Sequence, residues 1–132
     1  MKLKTLMIIK AVVCLTLGLP ILLVPDFFYS LFGATLGPGG IIAAREYGAS
    51  LMGNLLLTWF ARNAMESLAR RAIILGLCVY DAIGFVVILV AQTSGLLNPL
   101  GWSAVAIYLF FAVGYGYFLV YSPQPATQER AT

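Results

Sequence analysis

Any chemistry in this chain has to come from a few polar side chains set inside apolar runs. Glu46, Ser50 and Asn54 recur at every fourth position, which on a helix puts them within about 80° of one another. Tyr47, Gly53 and Thr58 widen the same side. Asp81 is the one charge in a second run, close to its middle. Tyr108 and Tyr115, seven residues apart, share a face of a third. Glu46, Ser50, Asn54, Asp81, Tyr108 and Tyr115 therefore make up a candidate intramembrane polar cluster whose chemistry is hydrogen bonding and proton exchange. A lone carboxylate at bilayer centre costs about 2.5–3.5 kcal/mol on insertion scales, so Asp81 is expected to be protonated or paired. Counted along antiparallel helices, Asp81 is about 14 Å and Asn54 about 11 Å from the same edge, a similar depth, so Asp81, Asn54 and a tyrosine could share hydrogen bonds. Glu46 is expected to face the bundle interior. Arg45 lies on another side, with Ala49, Met52, Leu56 and Trp59. It either snorkels to the headgroups or crosses to a carboxylate on another helix. Two readings stay open for the cluster. One is a proton-linked or small-ligand site built on Asp81 and Glu46. The other, preferred, is interhelical hydrogen bonding that fixes how the helices pack.

Other chemistries find little support. The chain has no histidine and only two cysteines, which removes the commonest zinc, haem and copper ligands. Cys14 and Cys78 both fall inside apolar runs and read as small packing residues. Serines and threonines have no histidine to activate them. The stretch "GATLGPGG" is glycine-rich, but without a lysine or a preceding strand it is not a phosphate loop. No catalytic residue, cofactor or metal is assigned, and the expected class is not an enzyme.

The elements that must position these groups follow from composition. Of 132 residues, 61% are hydrophobic and 10% charged, where a soluble domain has about 25% charged. The apolar residues come in blocks of the length that spans a bilayer, about 20 residues. Four spans are expected: Thr5 to Val24, Ile41 to Ala61, Ala72 to Gln92 and Gly101 to Tyr121. The first has the charged start of a signal peptide, but Lys10 interrupts it early and no small-residue cleavage pattern follows, so it is kept as a mature helix. Pro20 is a candidate kink and Pro25 a stop.

Basic residues set the orientation. Lys2, Lys4 and Lys10 precede or begin the first span. Arg62, Arg70 and Arg71 lie in the second connection and Arg130 in the tail, whereas the first and third connections hold no Lys or Arg. This bias puts both termini in the cytoplasm and makes the net charge of +3 a topology signal, not a nucleic-acid footprint. "DFFYSLFG", with Asp26 as N-cap and Gly33 as stop, predicts a short helix lying in the outer interface. The spacing of Arg62, Glu66 and Arg70 predicts helix continuing past the membrane. The chain thus reads as an all-α membrane protein: a four-transmembrane-helix bundle over residues 1–122 and a polar tail over 123–132.

The layout resembles small four-helix bacterial membrane proteins of the DoxX-like kind. The features shared are a first helix ending in "P..FYSLFG", then "AREYGASLMGNLLLTWFAR", a basic turn, "YDAIGF" and an aromatic last helix. The resemblance implies a bacterial cytoplasmic membrane protein acting as an accessory or assembly subunit, sometimes near quinone-linked respiratory enzymes. Three functions are carried forward. The first is an accessory subunit without catalytic machinery. The second is a small proton-linked transporter or ligand-binding protein using Asp81 and Glu46. The third is a quinone-associated subunit of an oxidoreductase. The expected partners are the lipid bilayer, other membrane subunits or further copies of the chain, and no nucleic acid.

Overall fold

The computed structural model describes residues 1–122. The tail expected over 123–132 lies outside the described residues, as does Arg130. Five helices follow one another: α1 Leu3–Leu23, α2 Pro25–Leu31, α3 Pro38–Ala61, α4 Leu68–Thr93 and α5 Gly101–Tyr121. Among the described residues there is no strand. α1, α4 and α5 are long and apolar enough to cross a membrane, with mean hydropathies of 2.5, 2.7 and 1.8. α3, at 24 residues, has the length, but Arg45, Glu46, Ser50 and Asn54 keep it less apolar than these three.

Local chemistry sets the helix ends. The last turn of α1 closes with the Val24 N–H donating to the Pro20 carbonyl at 2.8 Å. Pro25, which has no N–H to offer, then serves as the first residue of α2, the helical position that proline tolerates best. This corrects the expected capping role of Asp26. It sits inside the first turn of α2, where its charge suits the positive end of the helix dipole. Gly33, past the end of α2, takes φ +77°, a left-handed conformation that glycine adopts without strain. Pro38 likewise opens α3, so the last residues of the glycine-rich connection are helical.

The second connection also departs from expectation. α3 stops at Ala61 rather than running on. The Arg62 guanidinium lies 3.5 Å over the Trp59 ring and donates to the Trp59 carbonyl, satisfying an orphan acceptor at the helix end. Ser67 then caps α4, its Oγ accepting from the Arg70 N–H at 3.1 Å. That cap starts α4 one turn before the expected Ala72. Glu66 and Arg70 do pair, at 2.5 Å, but across the start of α4.

The helices form two intimate antiparallel pairs, α1 with α3 and α4 with α5. Contact between the pairs is much sparser, along α1–α5 and α3–α4, and α1 and α4 face each other across the diagonal without backbone approach. Glycine makes the first pair close. A Cβ on Gly48 would lie 2.7 Å from the Leu22 nitrogen and 2.9 Å from its Cα. In the second pair, Gly84 leaves room for the Tyr108 ring, and the Cys78 thiol donates to the Ala112 carbonyl at 3.5 Å.

The core is uneven along the bundle. At the end where α1 begins and α5 finishes, here the terminal end, all four long helices meet. Leu3, Leu6 and Met7 pack with Ala61, Ile74, Leu77, Phe111 and Tyr115. Toward the other end, the α2 end, the buried cluster of Cys14, Ile21, Ala44 and Leu51 comes from α1 and α3 alone.

The glycine contact predicts that Gly48→Ala pushes α1 from α3 and destabilises the protein by about 1–3 kcal/mol, the usual result of overpacking. Gly76→Ala, at a site with nothing within 4 Å of an added Cβ, should cause no loss. Thermal unfolding of both variants in the same detergent measures the difference.

Candidate functional site

Where the four-helix core ends and the sparser half begins, the Lys10 ammonium meets the Asp81 carboxylate. Both are buried, at 3% and 0% exposure. The contact crosses the diagonal from α1 to α4, so long side chains reach where the backbones do not. The ammonium also lies 4.6 Å from the Phe111 ring centre and 5.4 Å from that of Tyr80, within reach of a cation–π attraction. A buried ion pair needs such further partners, because the loss of hydration otherwise outweighs the mutual attraction. One polar atom is left over: Asp81 Oδ2 is buried without a hydrogen-bond partner.

Above this pair, toward the α2 end, is a cavity of about 460 Å³, within the range of about 300–1,000 Å³ usual for small-molecule sites. Lys10 lies in its floor. Apolar side chains of α1, α4 and α5, among them Val13, Leu17, Ile83, Val87 and Ile107, make most of its wall. Phe28 and Tyr29 of α2, with Phe32 just past its end, close the top, with Leu97 beside them. Burial pushes the Tyr29 phenol above its usual pKa, so it remains a neutral donor at any ordinary pH. Ile83 and Val87 on the rim are 60% and 61% exposed, so the cavity opens sideways along the seam between the helix pairs.

The polar groups in the wall are the Lys10 ammonium, which only donates, and hydroxyls, which donate and accept. The Tyr47 and Tyr108 hydroxyls bond to each other across the cavity, from α3 to α5. The Tyr80 hydroxyl is 3.5 Å from Ser50 Oγ. The roof is tied down from outside: the Asn98 N–H donates to the Phe32 carbonyl and its Nδ2 to the Leu31 carbonyl, both at 2.8 Å. Gly33 also sits tightly against this tie, since a Cβ on it would come within 3.3 Å of Asn98.

The six residues expected as one cluster are not brought together. Asp81 pairs with Lys10, and Tyr108 with Tyr47. Tyr115 is in the closed core below, stacked on Phe111 with ring centres 6.2 Å apart, its hydroxyl buried and unpartnered. Asn54 is half-buried, with a buried Nδ2 that finds no acceptor, so the expected Asp81–Asn54 bond is absent. Glu46 is exposed rather than interior, and Ser50 is exposed too. Arg45 is exposed and, among the described residues, neither Arg45 nor Glu46 has an ion-pair partner. Among the described residues no three His, Cys, Asp or Glu side chains gather as a metal site would require.

Sequence reasoning passed over Lys10 as an ion-pair partner. The signal was there. α1 and α4 run the same way, so depth counts from one end for both. Counted from the expected span starts, Lys10 is about 8 Å above Thr5 and Asp81 about 14 Å above Ala72, a difference that the four-carbon stem of lysine spans. Comparison with protein-family models, curated proteins and solved structures gives no match to this chain.

The pairing fixes an expected mutational pattern. Asp81→Asn leaves Lys10 buried without its counter-charge and should destabilise by about 3–5 kcal/mol, as should Lys10→Met. Lys10→Met with Asp81→Leu removes both charges and should recover most of that loss. Unfolding midpoints of the three variants in one detergent check the pattern. Independent, additive losses would show that the two side chains do not act as a pair.

Proposed function

We propose that this chain is an integral membrane protein of four spans that holds one lipid-soluble molecule, with a hydrogen-bond acceptor at one end, in its α2-end cavity. The observation that carries the reading is the cavity itself: apolar walls open sideways along the helix seam, over a floor and sides furnished with donors. A ligand with an apolar body would enter from the lipid, and its carbonyl or ether oxygen would accept from Lys10, Tyr80 or the Tyr47–Tyr108 pair. A neutral acceptor suits the site better than an anion, because Asp81 already balances Lys10.

The membrane placement is supported by three strongly apolar helices and by the distribution of basic residues. Lys2, Lys4, Arg62, Arg70 and Arg71 all lie at the terminal end, which by this bias is cytoplasmic, and the α2 end then faces outward with α2 in the interface. α3, though more polar, runs antiparallel to α1 along its length and is counted as the fourth span. Binding and presenting a lipid-soluble molecule is compatible with an accessory subunit, and a quinone belongs to the ligand class described. The transporter alternative has less support, since the core below Asp81 is closed and Glu46 does not share the site.

Two measurements test this. With single cysteines at Ser30, Ser67 or Ser94 in a background lacking Cys14 and Cys78, an impermeant thiol reagent added outside should label positions 30 and 94 and spare 67. Labelling of 67 alone would reverse the orientation. For the ligand, Ala104→Trp fills the cavity from α5. Solvent extracts of protein purified with its native lipids should release an oxygen-bearing apolar molecule near one per chain from the wild type. The folded variant should release about tenfold less, the loss that some 1.4 kcal/mol of affinity brings. Equal release from both would sink the cavity as the binding site.

A further inference from the structure

α3 carries a second feature that the cavity does not use. Arg45 and Glu46 are neighbours on its exposed face, about 100° apart around the helix. The line midway between them runs through Ile42, Ala49, Gly53, Leu56 and Phe60. Each of these is exposed, Ile42 at 63% and Phe60 at 75%, and nothing lies within 4 Å of a Cβ built on Gly53. The residues α3 turns toward α1, namely Ala44, Gly48 and Leu51, are on the opposite side. So the centre of the unpartnered face is flat and small at Ala49-xxx-Gly53, with Arg45 on one flank and Glu46 on the other, level with each other.

We infer that this face docks a second copy of the chain, α3 against α3, about a two-fold axis along the membrane normal. The charge arrangement identifies the occupant. Under such an axis the two α3 helices run parallel, and rotation by 180° carries the Arg45 flank of one copy to the side on which the other presents Glu46. Two equivalent ion pairs form at one depth, Arg45 with the partner copy's glutamate and Glu46 with its arginine. An isologous contact must be self-complementary in this way, and a single adjacent Arg-Glu is the smallest pattern that achieves it. Alanine and glycine at the crossing let the backbones approach, as membrane helices require in the absence of a hydrophobic drive between them. The pairing also accounts for two charges on a helix face that would otherwise meet lipid, where an unpaired charge is costly. The inference rests on α3 lying in the membrane, and not on what the cavity holds.

The test uses the full chain in lipid nanodiscs or bicelles, at several protein-to-lipid ratios, with helicity recorded for every variant. Ala49→Cys in a background lacking Cys14 and Cys78 should cross-link to a dimer under mild oxidation, whereas Val113→Cys, on the exposed face of α5, should not. Arg45→Glu and Glu46→Arg should each weaken self-association about a hundredfold or more, because each leaves like charges facing at the contact. Co-expressed with different tags, these two single variants should capture each other, since one copy then offers two acids and the other two bases. The exchanged double variant, Arg45→Glu with Glu46→Arg, should dimerise like the wild type. A monomeric wild type at every ratio, or no cross-link through position 49, overturns the proposal. So does failure of two folded, oppositely charged single variants to associate. If a charge variant does not fold, the cross-link at 49 decides alone. The thiol labelling at positions 30, 67 and 94 reads membrane placement separately, so a failed dimer is distinguishable from a misplaced α3.

Discussion

Two opposite charges removed from water can remain charged only if they stay together, and that constraint organises this bundle. Lys10 and Asp81 belong to helices that never approach each other's backbone. Their contact fixes how far α1 and α4 are each rotated about their own axes, because a turn of either helix would separate the pair and leave a bare charge in an apolar interior. Aromatic rings follow from the same need. Phe111 and Tyr80 flank the ammonium, and they supply electron-rich faces where water is excluded. The pair also marks the level at which the bundle changes character, from four helices packed together to two pairs standing side by side.

That change of character has a steric origin. Within each pair, small residues allow close packing: Gly18 and Gly48 let the backbones of α1 and α3 approach, and Gly84 seats the Tyr108 ring between α4 and α5. Between the pairs the contacts are made by bulky tyrosines and by the ion pair, which hold the helices apart as much as they join them. At the terminal end Leu6, Met7, Phe111 and Tyr115 fill the resulting space. Toward α2 the aromatic side chains stand around the space instead of inside it, and it persists as the cavity. The tyrosines there lose little to burial, because each can pair with another hydroxyl while its ring covers apolar surface.

Much of this could be read from the chain itself, and the rest could not for an identifiable reason. Apolar block length placed the helix ends well, and Gly101 and Tyr121 bound α5 as expected. "DFFYSLFG" did contain a short helix, with Pro25 rather than Asp26 at its start. Azimuth was the weak point. Polarity alone predicts that Glu46, Ser50 and Asn54 face inward, yet Glu46 and Ser50 are exposed and Asn54 is only half-buried. In α3 the inward face is instead the one that lets α1 approach, Ala44, Gly48 and Leu51, because close packing rather than polarity decides which side of a membrane helix meets its neighbour. Lys10 went unread for a related reason: its position among other N-terminal lysines matched a topology signal, and one residue can serve both roles.

Asn98 closes the far end of this arrangement. Its two hydrogen bonds to the carbonyls of Leu31 and Phe32 tie the α4–α5 connection to the end of α2, which in turn is continuous with α1. The molecule is thereby built like a pair of tongs. The jaws are the two helix pairs, the pivot is the packed terminal end, and Asn98 is a clasp across the tips. Spreading the jaws means giving up the clasp and the Tyr47–Tyr108 and Ser50–Tyr80 bonds, all away from the buried contacts of the pivot. Amide exchange should therefore be graded along the bundle rather than uniform, slow at the pivot and faster at the tips, because local opening draws on the weakest contacts first.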